Sequence, residues 1–237
     1  MNEFFLCLNP TKTKILIVGP TTLTNIVIKG TFVNDQCIRF VKDAKNLGVI
    51  LDESLSFEKQ VQKVVQTCIF LIKKIAEIKS FLTYDELKTL ICTWIFSTMD
   101  YCNSLYYGIN KSLIKKLQSV QNSAIYLLKK RGNKSDKSTD EMLKDLHWFP
   151  VRKRVIFKML LLVHKCLLGQ APELLTQLLD PGKSSRTKKL EEPRCSGLYG
   201  ERSFAVAEPK LWNTLWVDLH CGRGHRRTQK GCEDVSL

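Results

Sequence analysis

Apolar residues change their spacing at one place in this chain, the stretch Leu47-Gly48-Val49-Ile50-Leu51-Asp52. Before it they come as short β-branched runs with turn residues between them. After it they recur at helical spacing for more than a hundred residues. A strand has a side-chain period of two and a helix one of 3.6, so one element cannot carry both. The stretch is therefore read as the last strand of a small β part feeding a long α part. Leu47, Val49 and Leu51 are expected on one face of that strand, with Gly48 allowing close approach.

Four short strands are predicted. Residues 14–18 form an apolar run closed by Gly19-Pro20. Residues 26–29 form a second, with Gly30 marking a turn. Residues 37–41 alternate as a half-buried strand, 42–45 break it, and 46–51 are the fourth. So few short strands need a packing partner, which the helices must supply.

Ser56 is read as an N-cap. Phe57, Val61, Val64, Cys68, Leu71, Ile75 and Ile78 follow at steps of four and three, and Val65, Ile69 and Ile72 widen the stripe. Thr83-Tyr84-Asp85-Glu86 fits a capping box, with Leu87, Leu90, Ile91, Trp94 and Ile95 facing inward. An aromatic junction, residues 100–108, ends at Gly108. A third helix starts near Ser112 with Leu113, Leu117, Val120, Ala124 and Leu127 on its seam. Its end, Lys129-Lys130-Arg131-Gly132, places cations where the helix dipole favours them. A second capping box at Ser138 and Glu141 opens a short helix through Leu146. Pro150 suits the first turn of the next, which carries Val155, Ile156, Met159, Leu160, Val163 and Leu167 inward and stops at Gly169. Residues 172–179 form one more short helix.

The expected fold class is α+β, with strands and helices segregated. A small antiparallel β part of about four strands (1–55) precedes a bundle of about five to six helices (56–180). A hydrophilic linker and a short amphipathic helix over 208–216 holding Trp212 occupy 181–216, and a disordered tail 217–237.

Charge limits the partners. Lys and Arg number 37 against 23 acids, a net +14, which favours polyanions, either nucleic acid or an acidic membrane surface. No apolar run is long enough to span a bilayer, and the first residues do not read as a signal peptide. Nine cysteines without a pairing rhythm are read as reduced, mostly buried thiols in an intracellular, nuclear or cytoplasmic compartment.

Catalytic patterns are absent from the sequence. His147 and His164 lie in helical or junction contexts and read as packed or surface residues. His220, Cys221, His225 and Cys232 contain ligand types without a Cys-x-x-Cys pair and read as coincidence. There is no phosphate-cradling glycine loop, no Gly-x-Ser-x-Gly and no Asp-Asp pair to hold the Mg²⁺ of a nucleotidyl transferase. No catalytic residue, metal or cofactor is expected. What remains is binding. Basic clusters recur at Lys73-Lys74, Lys115-Lys116, Lys129-Lys130-Arg131 and Arg152-Lys153-Arg154. Helices sharing a core can turn several such clusters to one side, along a phosphate backbone. Tyr101, Tyr106, Tyr107 and Trp148 are candidate stacking residues.

Several segments resemble, in order, parts of a known family. Residues 2–14, Asn-Glu-Phe-Phe-Leu-Cys-Leu-Asn-Pro-Thr-Lys-Thr-Lys, are similar to the segment that follows the catalytic hairpin in reverse transcriptases of non-LTR (LINE-type) retrotransposons. Residues 46–52 resemble those enzymes' primer grip, a strand pair. Asp100-Tyr101-Cys102-Asn103, Leu146-His147-Trp148-Phe149-Pro150-Val151, and residues 202–207 with 209–213 resemble the helical continuation. The resemblance spans roughly residues 2–216 and implies the end of a palm followed by a thumb that grips a primer–template duplex. It implies primer-grip roles for Leu47, Gly48 and Val49, and a position near the incoming nucleotide's phosphates for Lys12. It places the fingers and the metal-binding aspartates upstream of Met1, so the chain alone is expected to be inactive and to bind RNA or RNA/DNA duplex weakly. The tail from 217 departs from the family pattern and reads as read-through beyond a broken element. An alternative is a helical protein-interaction module, its charge serving solubility. Another is an accessory module of a tRNA-modifying enzyme, since residues 69–108 also resemble a region of AlkB-type dioxygenases, although no His-x-Asp with a distal His is present for iron. A last one is a degenerate reading frame whose product barely folds.

Overall fold

Two small sheets precede the helices in the computed structural model, which describes residue 9 and residues 12–19, 30–33, 36–132, 136–179, 189–195 and 197–221. The chain is α+β. β1 (Ile15–Leu16), β2 (Gly30–Val33) and β3 (Gln36–Val41) form one sheet in the order β1-β3-β2, and β4 (Asp43–Asn46) and β5 (Val49–Asp52) form a hairpin. β1 runs parallel to β3, so the expected all-antiparallel β part is corrected. Gly30 opens a strand instead of marking a turn. The strand expected at 26–29 lies outside the described residues. Residues 42–45, read as a break, mostly belong to β4. Asp43-Ala44-Lys45-Asn46 has little strand character of its own, and its pairing with β5 supplies the order.

The expected single strand over 46–51 is instead the turn and second arm of that hairpin. Asn46 pairs with Val49, leaving Leu47 and Gly48 as a two-residue connection. Both have positive φ, 45° and 89°, as a primed hairpin turn requires. Leu47 therefore does not share a buried face with Val49: it is 84% exposed while Val49 is buried. A leucine in the left-handed region is strained. Leu47→Asn is expected to raise stability by about 1 kcal/mol, read as a higher urea midpoint at unchanged slope. A lower midpoint would contradict this turn geometry.

Helix α1 (Glu58–Ile78) begins without a side-chain cap at Phe57, whose φ is 59°. Ser56 lies one residue too early to be the cap, though its Oγ accepts from Glu58 N at 3.3 Å. The entry loop is held instead by Asp52. Its Oδ1 accepts from Ser54 N, Ser54 Oγ and Ser56 N (3.1, 2.6 and 2.9 Å), and its Oδ2 from Phe57 N at 2.8 Å. Buried Gln60 ties α1 to β5 by accepting from Ile50 N at 2.9 Å. Phe57, Val61, Val64, Cys68 and Ile75 are buried as expected, but Leu71, Val65 and Ile72 are only half-buried, and Ile69 and Ile78 are exposed. The stripe is narrower than read because nothing covers its flank among the described residues.

A 3₁₀ turn (Lys79–Phe81) leads to α2 (Tyr84–Leu90), which opens on the expected capping box. A π-helical turn (Ile91–Phe96) then continues into α3 (Ser97–Asp100), with Ser97 N donating to Cys92 O. The wider turn buries Ile91, Ile95 and Phe96 and leaves Trp94 exposed, against expectation. A 3₁₀ turn (Asn103–Tyr106) ends near Gly108, whose φ is 70°. A Cβ there would lie 2.8 Å from Arg202 Cγ, which makes glycine the fitting residue.

Asn110 caps α4 (Lys111–Arg131) by accepting from Ser112 N, and the five expected seam residues are all buried. α5 (Thr139–Asp145) opens on the second capping box, and α6 (Val151–Leu167) follows Pro150, which sits at the cap position. Val155, Met159 and Val163 point inward, Ile156 and Leu160 are half-buried, and Leu167 is exposed where the helix gives way to Gly169. After α7 (Glu173–Thr176), the segment expected to be a free linker is pinned at 190–192. Leu190 is buried, its N–H and C=O both bond the Asn213 amide at 2.9 Å, and Glu192 accepts from Asn213 Nδ2 at 2.8 Å. Short α8 (Leu198–Glu201) precedes α9 (Phe204–Cys221), which starts before and ends after the expected 208–216. Residues 217–221, expected to be disordered, are helical, and 222–237 lie outside the described residues.

The chain forms two compact units, one of Met1–Met99 and Ile109–Lys134, the other of Asp100–Gly108 and Ser135–Leu237. In the first, α1 packs against α4, β5 and the π-helical turn. In the second, α6 packs against α9 and the turn at 103–106.

Candidate nucleic-acid interface

Helix α4 carries six cations and no acid in its 21 residues. Its buried seam faces α1, so its polar side is free to meet solvent. Lys111, Lys115, Lys116, Tyr126 and Lys130 are exposed. At 3.6 residues per turn, Lys111, Lys115, Tyr126 and Lys130 fall within roughly 100° of the circumference and span about 28 Å along the axis. Lys130 Nζ lies 4.7 Å above the Tyr126 ring, so the aromatic side chain orients the cation. Such a stripe matches a phosphate backbone rather than a point ligand.

The other predicted cations are used differently. In the first unit, Lys73 and Lys74 are exposed on α1, where Lys74 pairs with Glu77 at 3.0 Å and lies 6.0 Å from the Phe70 ring. Arg131 Nε donates to Leu82 O at 2.7 Å, bracing the start of α2. Lys129 is half-buried, and Lys12 is exposed in the turn after Asn9, with its N–H on Asn9 O. Leu47 and Gly48 sit in the hairpin turn and Val49 beneath it.

In the second unit, Arg152 is exposed and Lys153 half-buried. Arg154 is committed to Asp100. Its Nε donates to Oδ1 at 2.9 Å and its Nη2 donates to Oδ2, while Asn103 Nδ2 also donates to Oδ1 at 3.0 Å. Arg154 is thus an internal clamp for the 100–103 turn. Of the four proposed stacking aromatics, Tyr101 is exposed, Tyr107 and Trp148 are half-buried, and Tyr106 is buried and packed. Lys111 and Tyr126 were missed by the reading of lysine pairs. Their signal was the absence of acids along the whole helix, with Tyr126 one turn before Lys130.

The two buried thiols, Cys68 and Cys166, are not activated. The six described cysteines form no disulfide. Burial pushes the Cys68 thiol up to about 11 and raises that of Cys166, which disfavours the nucleophilic thiolate. Cys37, Cys102 and Cys195 are exposed, so the thiols are not mostly buried as expected. Among the described residues no three His, Cys, Asp or Glu side chains converge on a metal position, and no helix is long and apolar enough to cross a membrane. The ligand types at 220–232 fall outside the described side chains. Comparison with protein-family models, with curated proteins and with solved structures finds no match to this chain.

Proposed function

We propose that this chain corresponds to the palm end and thumb of a reverse transcriptase of the non-LTR retrotransposon type, binding a primer–template duplex weakly and without sequence preference. The acid-free, exposed cationic face of α4 carries the reading. The β4–β5 hairpin supports it, because a strand pair followed by a long helix is the arrangement that the resemblance assigns to a primer grip and thumb. Free thiols suit a reducing nuclear or cytoplasmic setting.

Binding through the three lysines of the stripe releases counterions, so affinity for an RNA/DNA hybrid falls with a log–log salt slope of roughly −2.7. Lys111→Gln, Lys115→Gln and Lys130→Gln each reduce that slope by about one. A slope near zero, or one unaltered by the triple variant, overturns the reading. The sequence contains no adjacent aspartates to hold catalytic Mg²⁺, so the purified chain is expected to incorporate no nucleotide on a primed RNA template. Incorporation above background refutes the assignment as a non-catalytic segment.

A further inference from the structure

The second unit presents two aromatic side chains at the start of α6. Phe149 is 46% exposed and Phe157 53%. Their ring centroids lie 5.9 Å apart with planes tilted by 41°. Lys153 and Phe157 lie one turn apart on the side of α6 opposite the buried Val151, Val155 and Met159, and Phe149, just before the helix, brings its ring against Phe157. Arg152 and Lys158 flank them and are exposed. Between Asp145 and Glu173 there is no acid, while Arg152, Lys153, Arg154, Lys158 and Lys165 supply five cations, of which Arg154 is neutralised by Asp100.

Cations beside exposed rings select a polyanion that also offers flat π faces. A duplex presents phosphates but hides its base faces in the stack. An acidic peptide answers the charge and leaves the rings without a planar partner. An unpaired strand answers both. We propose that the α6 surface around Phe149 and Phe157 is a stacking platform for single-stranded nucleic acid, with Arg152, Lys153 and Lys158 contacting its phosphates. This site lies in the other unit from the α4 face, and its argument does not depend on the retrotransposon reading.

The test uses the full chain with mixed-sequence single-stranded RNA, single-stranded DNA and a blunt hybrid duplex, each titrated at two salt concentrations. Phe149→Leu and Phe157→Leu keep apolar volume at exposed positions, and a thermal melt checks the fold. Each variant is expected to weaken single-strand binding roughly tenfold, leaving duplex affinity and salt slope unchanged, whereas the α4 lysine variants lower the duplex slope. Phe157→Trp keeps a ring and is expected to retain binding, which also covers a Leu variant that misfolds. Unaltered single-strand affinity in the Leu variants, or failure of the Trp variant to bind, overturns the platform. Equal losses on duplex and single strand overturn it as a stacking site. Loss of binding to anionic phospholipid vesicles with RNA binding intact identifies a membrane-facing patch and also overturns it.

Discussion

Glu208→Gln is expected to stabilise the chain in mildly alkaline solution and to flatten its pH dependence. Glu208 lies on the inner side of α9, 1% exposed, beside buried Val206, Ala207 and Pro209. Its Oε2 has no hydrogen-bond partner among the described residues. Burial pushes its carboxyl up to about 8 from an ordinary 4.5, and its charge would in turn disfavour ionisation of Tyr107 and Cys166. Between those two values the folded chain holds a proton that the unfolded chain releases. The contribution of this group is therefore complete below 4.5 and is lost as pH rises toward 8, by at most on the order of 4 kcal/mol. Glutamine has nearly the same shape and no charge to desolvate. The two chains should melt alike near pH 5, and the variant should melt higher at pH 8. A parent melting temperature that stays level from pH 5 to 8, or a variant that declines in parallel, refutes this account.

The helix that carries Glu208 was expected over 208–216 and is longer. Pro209 lacks an N–H and crowds the carbonyl four residues back. The helix starts at Phe204 and carries Pro209 inside it, past the first turn, where the proline gives no helical donor to the carbonyl four residues back. Glu208 lies on the buried side of this longer helix. Features fixed within four residues were legible: both capping boxes, the start of α4 near Ser112 and the α4 seam depend only on i to i+3 or i+4 neighbours. Features fixed by distant partners were not. β4 is polar and becomes a strand only because β5 pairs with it. Trp94 faces out because one extra residue enters the turn at 91–96. The basic clusters were legible as charge but not as use: Arg154 and Arg131 look like their lysine neighbours until Asp100 and Leu82 O are seen to hold them. The paired rings of Phe149 and Phe157, eight residues apart, emerge only once α6 shows which of its sides is buried.

Asp52→Ala is expected to cost about 2–3 kcal/mol at neutral pH, more than an ordinary cap removal. The carboxylate closes the stretch where strand spacing gives way to helical spacing, and it accepts four hydrogen bonds from the loop that turns β5 into α1. Two residues of that loop, Leu55 and Phe57, hold positive φ values of 47° and 59°. Neither side chain favours that region, so the loop keeps its course because the carboxylate secures the amides around them. Burial alone would raise the Asp52 carboxyl, but the bonds from the Ser54 hydroxyl and from the Ser56 and Phe57 amides outweigh it and hold the group below its usual 3.8. The sign of the pH effect follows. The contribution is complete above the unfolded value and is lost as pH falls through the lower folded value. The gap between parent and Asp52→Ala should stay constant from neutral pH down to about pH 5 and close in stronger acid. Asp52→Asn, which can keep the Oδ1 contacts but loses the negative charge, should fall between the two. A gap that persists unaltered at about pH 2 would mean that the loop is held by packing of Phe57 and not by the carboxylate.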